Sequence, residues 1–198
     1  MTDTSVKVCL IRSPIVVPAN NQTSMFTPPL GLAYVAGTLR DAGHGVSFIN
    51  AVGEALDQRT EAANDCFLYG LTPEETIARI PADAQVIGVA CGFSFEWPTC
   101  RDLIAGIREK FPDALMIGGG EHVTAMPEQS ITDSELDVCV LGEGEETALA
   151  VVDAFGKGQV DASTIEGIAY AGDNGEAIIN PRRARKRDLN SIPVPAWD

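Results

Sequence analysis

The chain has 198 residues, 45% of them hydrophobic and 21% charged, which is a globular composition well outside the disordered class. Its formal net charge of −14 argues against nucleic acid, which needs a cationic footprint, and against an anionic membrane surface. No apolar run approaches the roughly 20 residues needed to span a bilayer, and the opening MTDTSVKVCLI lacks the basic flank and long apolar run of a signal peptide, so a cytoplasmic protein is expected.

VKVCLIR (6–12) reads as a short buried strand, followed by a long loop with four prolines, SPIVVPANNQTSMFTPP, whose length suggests function. PLGLAYVAGTLRDAGH reads as a helix, with Pro29 near its first turn and Gly43 just past its end. GVSFINA (45–51) is a second strand. The acidic stretch 53–83 is partly helical, with TPEETIARI opening on Thr72 as N-cap and Pro73 as the first helical residue. A third strand (84–94), the helix PTCRDLIAGIREKFP, a fourth strand ALMIGGG, a fifth strand LDVCVLGEGE and the helix EETALAVVDAFGKG complete the alternation.

Strands apolar on both faces, alternating with helices, predict an α/β fold: a doubly wound five-stranded parallel sheet in the flavodoxin-like, Rossmann-like order. Beyond about residue 160, IEGIAYAGDNGEAIINP reads as a small β-hairpin turning at Asp173-Asn174-Gly175, then a basic run and a proline-spaced connector. The expected division is 1–160 as one domain and 161–198 as hairpin and connector. Five cysteines, Cys9, Cys66, Cys91, Cys100 and Cys139, are scattered singly, and none shares the close spacing of a zinc or iron–sulfur site.

Ligands of open parallel sheets bind outside the carboxyl ends of the strands. Here those ends carry Arg12-Ser13-Pro14, Ala51, Cys91-Gly92-Phe93-Ser94, Gly118-Gly119-Gly120 and Gly142-Glu143-Gly144-Glu145. Glycine at three of the five lets backbone approach a large ligand; tight turns and close helix packing explain any single cluster equally well. The dinucleotide fingerprint, the P-loop and the acidic pair with phosphoacceptor aspartate of a receiver domain are all missing from their required positions.

PPLGLAYVAGTLRDAGHGV (28–46), VIGVACGFSFEWP (86–98), IGGGEHVTAMPE (117–128) and VCVLGEGEET (138–147), in this order and spacing, resemble the cobalamin-binding domain at the amino terminus of many radical S-adenosylmethionine (SAM) enzymes. INPRRARKRDLNSIPVPAWD resembles the connector into their catalytic barrel. The resemblance implies that Ser94 meets the buried dimethylbenzimidazole tail of cobalamin, that Gly118, Gly119 and Gly120 leave room for it, and that Gly142, Glu143 and Gly144 line the other side of the slot. Ser13, Pro14, Gly92, Phe93, Trp97, His122 and Val123 complete the expected contacts, with Phe93, Phe95 or Trp97 against the corrin and Asn20–Ser24 on its amides. Packing of these aromatics in the core, and solvation of that loop, are the alternatives.

The loop after the first strand lacks the histidine that coordinates cobalt in methionine synthase-like domains. His44 follows a helix at the far edge, where a role as helix C-terminal partner is expected, and His122 follows the fourth strand, where the resemblance places the tail, with a structural role as the alternative. The resemblance therefore implies base-off cobalamin with no histidine ligand, in the cofactor domain of an enzyme that methylates an unactivated carbon. The catalytic domain, expected beyond residue 198, would supply the SAM site and the [4Fe-4S] cluster, since no C-x-x-x-C-x-x-C occurs here. The rivals are a cobalamin-sensing domain without catalysis and a docking module without cofactor.

Overall fold

The first apolar run can be buried on both faces only inside a sheet covered on both sides, and the rest of the chain supplies that cover. The computed structural model describes residues 5–20, 27–158 and 161–197. In chain order the elements are β1 (Lys7–Arg12), β2 (Ile15–Pro18), α1 (Leu30–Asp41), β3 (Gly45–Asn50), β4 (Arg59–Ala62), β5 (Cys66–Tyr69) and α2 (Pro73–Arg79). Then come β6 (Val86–Ala90), α3 (Trp97–Lys110), β7 (Leu115–Gly119), α4 (Glu121–Ala125), α5 (Pro127–Thr132), β8 (Val138–Val140), α6 (Glu145–Gly156), β9 (Ile168–Ala171) and β10 (Ala177–Ile179).

Five strands run parallel in the order β3-β1-β6-β7-β8, the flavodoxin-like order expected. Val8 pairs with Val46 on one side and Val86 on the other, and Gly118 pairs with Cys139. Side chains alternate between two cores. Cys9, Ile11, Ile87, Met116 and Cys139 face α3, whereas Val8, Leu10, Val86, Ile117 and Val140 face α1 and α6.

The sheet is larger than the sequence suggested. The hairpin β9–β10, expected beside a five-stranded sheet, extends it: β9 runs antiparallel along β8, so seven strands form one mixed sheet. The reason is burial. Left as an edge, β8 would present an unpaired row of backbone groups, and pairing with Ile168 and Ala169, both fully buried, removes that liability.

A second feature escaped the sequence reading. The start of the long loop after β1 forms β2, which joins β5 and β4 in a three-stranded antiparallel sheet, with Ile15 opposite Tyr69 and Arg59 opposite Tyr69 on the other side. The β4–β5 turn uses Asn64 and Asp65 at positive φ, 58° and 53°, where these two residue types are tolerated. The α2 start is as expected. Thr72 Oγ1 accepts from the Glu75 N–H at 3.2 Å and the Thr72 N–H donates to Glu75 Oε2 at 2.8 Å, a complete capping box.

His44 sits at the amino-terminal edge of the sheet, buried. Its Nδ1 accepts from the Val6 N–H at 3.2 Å, which puts the ring proton on Nε2, 3.1 Å from Asp153 Oδ1 on α6. Its backbone N–H donates to the Leu39 carbonyl at 3.1 Å in the last turn of α1, so His44 ties the end of α1 to β1 and α6. Among the described residues, no helix is long and apolar enough to cross a membrane.

Candidate functional site

At the carboxyl edge of the parallel strands two spaces join. The first is a slot of about 290 Å³ between the sheet and the helix pair α1–α6. Val8 and Leu10 of β1, Gly88 of β6 and Gly119 of β7 form its sheet wall; Leu32 and Val35 of α1 and Ala148 and Val152 of α6 form its helix wall. The second is an open groove of about 620 Å³ above the ends of β1 and β6, walled by Ile15, Val17, Pro29, Leu30, Phe93 and Phe95, with Arg12, Ser13 and Glu96 among its polar groups. Gly31, Leu32 and Ala90 line both, so the groove leads into the slot. The strand order reverses between β1 and β6, and crevices of this kind form at that switch point.

The slot exists because of which side chains are missing. A Cβ on Gly119 would meet nothing within 4 Å, so this position opens directly into it. Its neighbours differ. A Cβ on Gly118 would lie 2.5 Å from Leu136 Cδ1, on the opposite face of the sheet, so that glycine admits Leu136 and Val123 to the α3-side core. Gly120 has φ 114° and ψ −175°, a region open essentially to glycine alone, and its Cβ would lie 2.5 Å from the Cys91 carbonyl oxygen. Gly142, at φ 77°, and Glu143 and Gly144 bound the slot from the β8–α6 turn.

Ser13, Gly92 and Phe93 line the groove, and Gly119, Gly120, Gly142, Glu143 and Gly144 line the slot. Pro14 is buried beside Ser13 and lines neither. Gly118, Trp97, Val123 and His122 belong to the α3 side instead. Trp97 is buried, its ring stacked on His122 with centroids 4.4 Å apart and its Nε1 donating to Asp133 Oδ2 at 3.3 Å, whereas Phe93 and Phe95 are exposed and stacked on each other at 5.7 Å. Ser94 is exposed, its hydroxyl 3.0 Å from His122 Nδ1. Asn20 is exposed, and residues 21–24 of the loop assigned to the corrin amides lie outside the described residues.

Sequence reasoning missed the helix wall, the small sheet behind the groove and the pair Arg12–Glu96. The mid-strand Gly88, where a Cβ would meet Leu10 Cδ2 at 2.8 Å, was a readable signal, as was the single acid within FSFEW. Glu96 is buried; burial pushes its carboxyl up, while backbone N–H groups of Val16 and Phe93 and the nearby Arg12 charge pull it down. Arg12 donates to the Thr27 carbonyl at 2.6 Å, so these two charges fix the loop segments on either side of the groove. Burial pushes the Cys9 thiol up to about 11 and the Cys139 thiol up to about 12, so both are protonated packing groups.

Burial pushes His122 below its ordinary 6.5, so the folded protein favours the neutral ring. Its stabilising share is complete above 6.5 and declines below it, because the unfolded chain takes up the proton first. Acidification from about pH 7 to pH 5 is expected to lower the melting temperature, and His122→Gln to reduce that dependence. An unaltered pH profile in the variant would assign the dependence to other groups.

The B12 binding domain family model matches residues 19–152. The chain belongs to the B12-binding domain family. An uncharacterized methyltransferase of Pyrococcus horikoshii is 28% identical over 198 residues, covering 98% of this chain and 38% of the relative. The cytidylyl-2-hydroxyethylphosphonate methyltransferase of Streptomyces wedmorensis is 27% identical over 86% of this chain and 36% of its own. The anaerobic magnesium-protoporphyrin IX monomethyl ester cyclase of Rubrivivax gelatinosus is 29% identical over 86% of this chain and 28% of its own. This B12-binding chain thus spans about a third of the length of the curated relatives it matches.

Two solved structures share the fold. The radical SAM methyltransferase TsrM from Kitasatospora setae, with cobalamin and a [4Fe-4S] cluster bound, superposes with a TM-score of 0.65 at 20% identity, over 97% of this chain and 31% of that one. The cobalamin-dependent radical SAM enzyme OxsB, with aqua-cobalamin and SAM bound, superposes with a TM-score of 0.70 at 18% identity, over 97% of this chain and 24% of that one. The residues present fit the family's cofactor. A narrow apolar slot opened by Gly119 suits a buried nucleotide tail, and the broad groove beside it suits a flat macrocycle.

Proposed function

We propose that this B12-binding domain holds cobalamin base-off, without a histidine ligand, as the cofactor domain of a radical SAM enzyme that methylates an unactivated carbon. Residues 1–160 would hold the cofactor, and 161–198 would connect to the catalytic domain that carries SAM and the [4Fe-4S] cluster. The observation that carries the reading is the apolar slot that Gly119 opens, which meets a wide groove along Gly31, Leu32 and Ala90 at the switch point. The two methyltransferases among the relatives support the reaction class, and the cyclase among them marks cyclisation as the other reaction this domain accompanies.

The histidines support the absence of an imidazole ligand. His44 is committed to Val6 and Asp153 at the opposite edge of the sheet. His122 is buried against Trp97 on the α3 side, with Nδ1 committed to Ser94. When bound, cobalamin supplies a cobalt centre able to carry a methyl group. The chain's own share is to enclose the tail, keep water from the slot with Leu32, Val35, Ala148 and Val152, and hold the groove walls through Arg12 and Glu96.

Incubation with hydroxocobalamin, desalting and a visible spectrum tests retention; protein that keeps no corrin absorbance would favour the docking module. Retention by a full-length protein that transfers no methyl group would favour the sensing domain. Electron paramagnetic resonance of the cob(II)alamin form tests the lower face, because an axial nitrogen splits each cobalt line into three. No such splitting is expected in the wild type, and His44→Ala and His122→Ala should leave the spectrum unchanged. Splitting that disappears in either variant would identify a histidine ligand.

A further inference from the structure

The chain after the hairpin folds back across both helices that wall the slot. On α6, Arg183 Nε donates to Thr147 Oγ1 at 3.0 Å and Lys186 Nζ pairs with Glu146. On α1, the Ala196 N–H donates to the Ala33 carbonyl at 2.9 Å, and the Val194 carbonyl lies so close to Gly37 that any Cβ there would collide with it. The seats alternate with the slot lining along each helix. Ala33 and Gly37 meet the strap whereas Leu32 and Val35 line the slot, and Glu146 and Thr147 meet the strap whereas Ala148 and Val152 line the slot. Between the strap and the slot mouth lies a space of about 320 Å³ that shares Glu121, Gly142 and Glu143 with the slot.

We infer that the strap, residues 181–197, reports on slot occupancy: cobalamin in the slot and docking of the strap stabilise each other through α1 and α6. The physical reason is that the strap has one seat on each helix, so it docks only when the two stand at one spacing. A ligand packed between the sheet and Leu32, Val35, Ala148 and Val152 restrains that same spacing. Two events that favour one arrangement of a shared element are coupled, and the coupling is reciprocal. The strap thereby gives whatever follows it a contact whose strength depends on the cofactor. The inference rests on the slot being the cobalamin site, as proposed above.

Limited trypsin digestion tests it, since Arg182, Arg183, Arg185, Lys186 and Arg187 put five cleavage positions in the strap. Arg59 on β4 serves as the internal reference. Saturating hydroxocobalamin is expected to slow strap cleavage at least about fivefold relative to Arg59. Gly37→Ala removes the α1 seat while favouring the helix itself, so the protein should fold. It should lose the protection and bind cobalamin more weakly, by the factor that measures protection in the wild type. Equal relative cleavage with and without cobalamin overturns the inference. So does protection that survives Gly37→Ala, which would mean that the cofactor shields the basic run directly. Failure of the slot reading is seen separately, as no corrin absorbance after desalting.

Discussion

Replacing Gly119 with leucine is expected to abolish cobalamin retention while leaving the fold intact. The position opens into the slot, and a Cβ there meets no atom within 4 Å, so the new side chain enters space bounded by apolar groups. With cobalamin present, leucine and the nucleotide tail compete for about 290 Å³. Overpacking of a fitted apolar site costs roughly 1–3 kcal/mol, and at the upper end affinity falls about 100-fold. Gel filtration and the corrin spectrum read retention, and thermal melting reads the fold. A melting temperature equal to or above wild type, with no cofactor retained, is the expected pair of results. Full retention by folded protein would remove β7 from the site.

The adjacent residue gives the opposite outcome. Gly120→Ala should unfold the protein at lower temperature, because alanine must take φ 114° with ψ −175° and its Cβ must press on the Cys91 carbonyl. Backbone in that region costs a non-glycine residue about 1–3 kcal/mol before any collision is counted. The Cys91 carbonyl cannot simply withdraw. It accepts from the His122 N–H at 3.2 Å, and the Cys91 N–H donates to Gly119 at 2.7 Å, so β6, β7 and α4 meet at this residue. A drop of roughly 5–10 °C in melting temperature is expected for a chain of this size. An unchanged melting temperature would show that the turn after β7 relaxes into an ordinary conformation.

These two glycines and Gly118 form one run in the sequence, and they read alike there. In the folded protein Gly118 admits Leu136 to the core, Gly119 opens the slot and Gly120 permits a turn. Period-two alternation along a strand could separate Gly118 from Gly119 into opposite faces, but which face carries the slot depends on α1 and α6, placed far away in the chain. His122 posed the same difficulty. Its neighbours in sequence suggested the tail side, yet α4 turns its ring onto Trp97, 25 residues earlier on α3.

Local physical chemistry determined much of this protein without help from the tertiary structure. Runs apolar on both faces dictated parallel strands, the Thr72–Glu75 box dictated the start of α2, and Asp173-Asn174-Gly175 dictated a hairpin. Each of these is settled by residues within a few positions of one another. The glycines at the strand ends likewise marked the carboxyl edge as the place for a large ligand, and the resemblance carried by those segments implied cobalamin. The three-stranded sheet β2-β5-β4, the hairpin's attachment to β8 and the strap across α1 were decided only in three dimensions. Their partners lie tens of residues apart, and their favourable terms are backbone pairing and close approach, which any short extended segment can offer to many others. Only when the parallel sheet has fixed β8 as an edge, and α1 and α6 as neighbours, does one partner for each become available.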